Sequence, residues 1–309
     1  MSVLITMWQF LVFLLSIAAA APKSAFNDSG SSDARTWNIG SAENEYLLYT
    51  RSNPQVSQSL VHEDIASILN SNFNGRLPTV VIAHGWLIKQ DSSMNPTLRD
   101  AFLESNDVNV IVVEWRRLAM ADYSSAVNGI PDAGVELGEF LAFLNRVAGA
   151  QFHQMHLVGF GLGAHFVGVA GKHLGGRAAR ITGLDPAGTS WSTNPNRLDA
   201  SDAIYVEAIH TNGGKKGLGI GTAIADADFF PNGGSSQPGC HTHRCSHNRS
   251  WELLASTVTN NHLVGRQCLT TLQLTYNTCR GSELRMGNDI LTKFGSGTYR
   301  LDTARTYPY

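Results

Sequence analysis

The chain lacks an excess of charge of either sign. Lys and Arg number 23 against 25 Asp and Glu, a net charge of -2, and the basic residues form no block. That argues against a nucleic-acid partner and against membrane attachment by electrostatics alone. Past the N-terminal run, no apolar stretch is long enough to cross a bilayer. Repeats, heptads and a linker between domains are also missing, so 309 residues at 43% hydrophobic content suit one large globular domain. Cysteine is scarce, with four in all.

The N-terminus carries an apolar run, Trp8–Ala21, that ends in small residues and meets Pro22-Lys23 at once. It is too short to span a membrane and reads as a secretory signal peptide, although its leading segment has no basic side chain. Residues 1–20 are expected to be removed, leaving 21–309 as a secreted, extracellular protein with a loose start at Ala25–Asp33. In an oxidising compartment four cysteines suggest two disulfides, with three connectivities open. The short-loop solution, Cys240 with Cys245 and Cys268 with Cys279, is the expected one. Asn27 and Asn248 lie in glycosylation sequons.

Pro78–Ala83 and Val108–Val113 are continuous runs rich in β-branched residues, suited to strands buried on both faces of a parallel sheet. Glu45–Thr50, Arg180–Gly183 and Ala203–His210 read as further strands. Ser59–Leu69, Pro131–Val147 and a segment ending near Leu174 read as helices. Alternation of this kind predicts an α/β fold with a mostly parallel central sheet and helices on both faces. Ligands in such folds bind at the carboxyl ends of the strands.

At one of those ends stands Gly159-Phe-Gly-Leu-Gly163. This is the frame of a nucleophile elbow, G-x-S-x-G, with Gly161 where the serine would be. Downstream, in the order an α/β-hydrolase triad requires, come Asp185 in Gly-Leu-Asp-Pro and His247 in Cys-Ser-His. The acid would orient the imidazole, and the imidazole would activate a nucleophile. Backbone N–H groups of Trp86 and Leu162 would form the oxyanion hole. Trp86, Leu87, Phe160, Leu162 and Phe229 are candidate acyl-chain contacts, with Trp86 and Leu162 assigned to the site.

The chain resembles the animal pancreatic-lipase family, most closely its short insect members and its phospholipase-type members. The resemblance rests on His84-Gly-Trp86, Val110–Trp115, Gly159–His165, Ile181–Ala187, Arg197–Asp202, Ile209–Thr211, Asp228–Gly234 and Cys245-Ser-His247. It implies an α/β-hydrolase domain without the C-terminal β-sandwich of the larger lipases. It also implies a lid between Cys240 and Cys245, reduced here to His-Thr-His-Arg. The departures are Gly161 for the nucleophile, Glu114 where the family has aspartate and Asp226 where it has histidine.

A zinc site at Cys240–His247 is disfavoured, because oxidised thiols do not ligate and the spacing is not a zinc pattern. No metal or cofactor is expected. Three functions stay open. The first is a pseudoenzyme, similar to the yolk proteins of higher flies, that holds a lipid or apolar ester and makes at most peripheral contact with lipid surfaces. The second is a weak carboxylic-ester hydrolase in lipid catabolism, in which His247 and Asp185 activate water. The third is a ligand-free extracellular scaffold.

Overall fold

The computed structural model describes residues 44–88 and 92–309. The expected signal peptide, the loose segment after it and the sequon at Asn27 lie outside the described residues. The strands are β1 Glu45–Tyr49, β2 Gln58–Leu60, β3 Thr79–Ala83, β4 Asn109–Glu114, β5 Met155–Phe160, β6 Arg180–Leu184, β7 Val206–Ile209, β8 Ala227–Pro231, β9 Val264–Cys268, β10 Glu283–Arg285 and β11 Gly297–Leu301. The α-helices are α1 Ile65–Leu69, α2 Met94–Ser105, α3 Arg116–Ala119, α4 Tyr123–Ala148, α5 Leu162–His173, α6 His243–Asn260 and α7 Thr271–Tyr276.

All these strands fall in one sheet, ordered β10-β9-β11-β8-β7-β6-β5-β3-β4-β1-β2. From β4 to β11 the pairings are parallel; β1, β2, β9 and β10 add antiparallel edges. No second sheet of a sandwich forms among the described residues. The parallel centre follows from the sequence, since every residue of β3 and β4 is buried. Alternate side chains serve opposite cores: Val81 and Ile111 pack under α4 and α5, Val80 and Ile82 under α2 and α6. Leu137, Leu141 and Leu144 of α4 are fully buried, each contributing roughly 1.5–3 kcal/mol by removal from water.

Two elements differ from the sequence reading. The helix expected from Pro131 begins at Tyr123, because Asp122 caps it by accepting from the Ser125 N–H at 3.0 Å. Ala126 and Ile130 extend its buried face, so packing outweighs the backbone donor that Pro131 lacks. The helix expected over Ser59–Leu69 shortens to α1, since Asp64 caps at Ala66 and Ser67. Its first residues instead join β2, pairing with β1 and turning Leu60 inward.

The register decides where function can sit. Ala83 pairs with Gly159, and Phe160 with Leu184, so β3, β5 and β6 end at the same level. The residues that follow, His84, Gly161 and Asp185, emerge side by side.

Behind the sheet, Arg180 and Lys293 each reach Glu207 at 2.5 Å, and all three are buried. Burial alone would raise the Glu207 pKa; the two cations outweigh it and hold the carboxyl below its ordinary range. Further N–H donors on Nη1 and Nη2 of Arg180 go to the carbonyls of Gly287, Asn288 and Ile290, tying that segment to β6. Glu207→Ala, which strands two buried cations, is expected to lower unfolding free energy by about 3–5 kcal/mol in urea titrations.

Candidate active site

The turn from β5 into α5 is set by close contacts. A β carbon on Gly159 would stand 2.1 Å from the Gly163 carbonyl oxygen, and one on Gly163 would stand 2.4 Å from that of His84. Strand and helix meet backbone to backbone, and any side chain would separate them. At the apex Gly161 takes φ 57°, ψ -116°, a conformation that costs other residues of order 1–3 kcal/mol. The elbow geometry is retained although the side chain is gone. Leu162 is the first residue of α5, so its N–H has no partner within the helix.

Asp185 follows β6 in a left-handed conformation, φ 41°, and is fully buried. One carboxylate oxygen accepts the backbone N–H groups of Thr211 (2.8 Å) and Asn212 (2.9 Å); the other faces His247 Nδ1 at 2.5 Å. Because the carboxylate only accepts, Nδ1 donates, and Nε2 is left facing the elbow. The direction a side chain at 161 would take runs straight at it. Its first atom would lie 3.1 Å from His247 Nε2, with nothing nearer and Gly85 Cα at 4.0 Å. Phe160 packs on the imidazole, ring centres 4.3 Å apart. Gly219 backs Asp185 so closely that a β carbon would stand 2.4 Å from its Oδ1.

These groups border a pocket of about 430 Å³ walled largely by Trp86, Leu87, Tyr123, Phe160, Leu162 and Leu218. Gly161, Arg244, His247 and Asn248 complete its polar side. Trp86 and Leu162, assigned to one site from the sequence, both line this pocket. Phe229, a candidate acyl-chain contact, does not: it is fully buried in the core and stacks on Tyr299. Asn248 is half-buried on the pocket wall.

The disulfides are Cys240–Cys245 and Cys268–Cys279. The first closes a turn onto α6, where Thr242 caps the helix at Cys245. The segment between the cysteines is thus a short turn running into the first residues of α6, and among them Arg244 reaches the pocket. Arg244 escaped the sequence reading, although its spacing of three from His247 puts both on one helix face. Tyr123, Leu218 and Gly219 were also missed, because their relation to the site exists only in three dimensions. Of the two mild departures, Glu114 lies 3.6 Å from His84 Nε2, and Asp226 accepts the Val206 N–H at 2.9 Å, fastening the start of β7.

A sheet with an elbow at its centre and an acid–imidazole pair beside it defines an α/β hydrolase. Comparison with known proteins narrows the class. The Lipase family model matches residues 12–300. Pancreatic lipase-related protein 2 of Homo sapiens is 35% identical over 249 residues, 72% of this chain and 53% of that protein. Pancreatic triacylglycerol lipase of Mus musculus is 30% identical over 314 residues, 89% of this chain and 67% of that one. The chain belongs to the animal pancreatic-lipase family, and it spans about half the length of the human relative. Among solved structures, a sugar hydrolase from Lactococcus lactis aligns with TM-score 0.32 and 14% identity, covering 45% of this chain and 63% of that one.

His165 in α5 steadies the loop after Asp185. It is buried and lies 2.8 Å from the Ala187 carbonyl through Nε2, while Nδ1 accepts the Leu198 N–H at 3.1 Å. Only the neutral ring satisfies both, and burial drives its pKa down to about 3. The unfolded chain takes up this proton near pH 6.5 and the folded chain does not. This contribution to stability is therefore complete above pH 6.5 and is lost as pH falls towards 3. His210, raised by its 2.8 Å contact with Asp228 against the effect of burial, acts in the opposite direction. The urea midpoint is expected to fall less between pH 7 and pH 5 in His165→Gln than in the wild type.

Proposed function

We propose that this chain is a secreted lipase-family protein that binds a lipid or an apolar ester in the pocket without cleaving it. Gly161 carries the proposal. Covalent ester hydrolysis by this fold needs a nucleophile on the elbow, and glycine supplies none. Glycine also removes the strain that a side chain bears at this apex. The apolar pocket is of a size usual for small-ligand sites. Secretion is supported by the two disulfides and by the N-terminal signal-like run. No helix among the described residues is long and apolar enough to cross a membrane.

In this reading Asp185 and His247 persist as a satisfied polar pair. Removing either would leave the other buried without its partner, a cost of about 1–3 kcal/mol. Trp86 and Leu162 are the residues whose backbone N–H groups would face a ligand's carbonyl oxygen. A second reading is favoured by the intact 2.5 Å contact between His247 and Asp185. That pair could activate water over Gly161, giving slow hydrolysis of the kind left when a triad loses its nucleophile.

Hydrolysis of a phospholipid and of a short-chain ester by wild type and Gly161→Ser separates the two. The expected outcome is no turnover by the wild type, with activity in the variant higher by on the order of 10²-fold or more. The variant should also be less stable by about 1–3 kcal/mol, the conformational cost of a side chain at the apex. Wild-type turnover that disappears in His247→Ala would instead establish the water mechanism.

A further inference from the structure

We infer that the ligand held over Gly161 is a free fatty acid, gripped by its carboxyl group, and not the ester that the fold's frame suggests. The inference rests on the non-cleaving reading above and names its ligand. It starts from the space that glycine opens: a side chain there would meet only His247 before reaching the pocket. A ligand oxygen entering along that line faces His247 Nε2.

What Nε2 accepts in that space is decided by the proton inventory. Nδ1 donates to Asp185 at 2.5 Å, so the neutral ring presents Nε2 as a bare acceptor. An ester brings only acceptors: its carbonyl oxygen can take the backbone N–H groups at the elbow, but nothing in it donates to Nε2, which stays unsatisfied at a half-buried site. Near neutral pH a fatty acid is a carboxylate, and its binding takes up one proton from solvent, which an ester has no charge to hold. That proton sits between the ligand oxygen and Nε2, as an O–H donating to Nε2 or on Nε2 itself, where it leaves a carboxylate against an imidazolium held from behind by Asp185. Apart from this proton no reactant is needed, and no bond to carbon forms or breaks. The second carboxyl oxygen is placed to accept the Leu162 N–H at the start of α5, where the helix dipole favours negative charge.

The surrounding charge agrees. Arg244, three residues before His247 on α6, is exposed at the pocket and has no ion-pair partner among the described residues. No acidic residue lines the pocket among the described residues. The remaining wall, from Trp86 and Leu87 to Leu218, is mostly apolar, Thr189 apart, and suits an alkyl chain.

Calorimetric titration with decanoic acid and with methyl decanoate, each below its aggregation limit, tests the inference. The acid should bind the wild type at least tenfold more tightly than the ester, as the loss of a buried acceptor's partner implies. Gly161→Ala, which fills the space beside Nε2, and His247→Gln should each abolish that preference while keeping melting temperatures that show folded protein. Should Gly161→Ala not fold, His247→Gln alone decides the point. Equal binding of acid and ester by the wild type would overturn the carboxyl assignment and leave the lipid-binding reading in place. Failure of both to bind would remove both readings. Acid preference persisting in His247→Gln would place the carboxyl elsewhere and overturn the inference.

Discussion

The architecture depends on one contact, the backbone-to-backbone meeting of β5 and α5 across Gly159 and Gly163. With no side chain between them, the helix start is drawn down against the end of β3, whose Ala83 and His84 carbonyls a β carbon on Gly163 would strike. That approach fixes the apex at Gly161, points the first N–H of α5 at the pocket, and aligns the apex with Asp185 and His247. Everything chemical about the site follows from geometry that only glycine permits at those two positions.

On the proposed reading, the same contact explains how the site persists without a nucleophile. The elbow's shape comes from the flanking glycines and from the register of β3, β5 and β6; the side chain at its apex does not determine it. Substituting glycine at the apex therefore removes strain and chemistry together and leaves the acid–imidazole pair in place. The pair has its own supports: two backbone donors on Asp185, Gly219 pressed behind it and Phe160 against the imidazole. A site built this way can change from cleaving to holding through one residue.

How much of this was legible in the chain depends on the range of each signal. The buried strands announced themselves by β-branched runs, and the elbow by glycines at fixed spacing. Asp185 and His247 were legible through their order along the chain and the motifs around them. The helix start at Tyr123 was not, because Pro131 is the stronger local signal and the Asp122 cap prevails only with Ala126 and Ile130 packed beneath. The antiparallel edge formed by β9, β10 and β11 carries no long apolar run, since only four of its thirteen residues are buried. Phe229 was only a candidate contact, being large and within the Asp228–Gly234 motif; its stacking on Tyr299 is a tertiary fact. Gly219 and Arg244 belong to the site only through the folding of distant segments onto Asp185 and His247.

The central claim is that the chain keeps a complete elbow, donors and imidazole, and lacks only the nucleophile. Labelling with an alkyl fluorophosphonate, read by intact mass and peptide mapping, tests it most directly, since the reagent requires an activated hydroxyl poised beside those donors. The account predicts an unmodified wild type, and in Gly161→Ser a single phosphonyl adduct on the introduced side chain that is lost on adding His247→Ala. A labelled wild type would reveal a nucleophile elsewhere, and a folded but unlabelled Gly161→Ser would show that the site is not competent; either result would contradict the account.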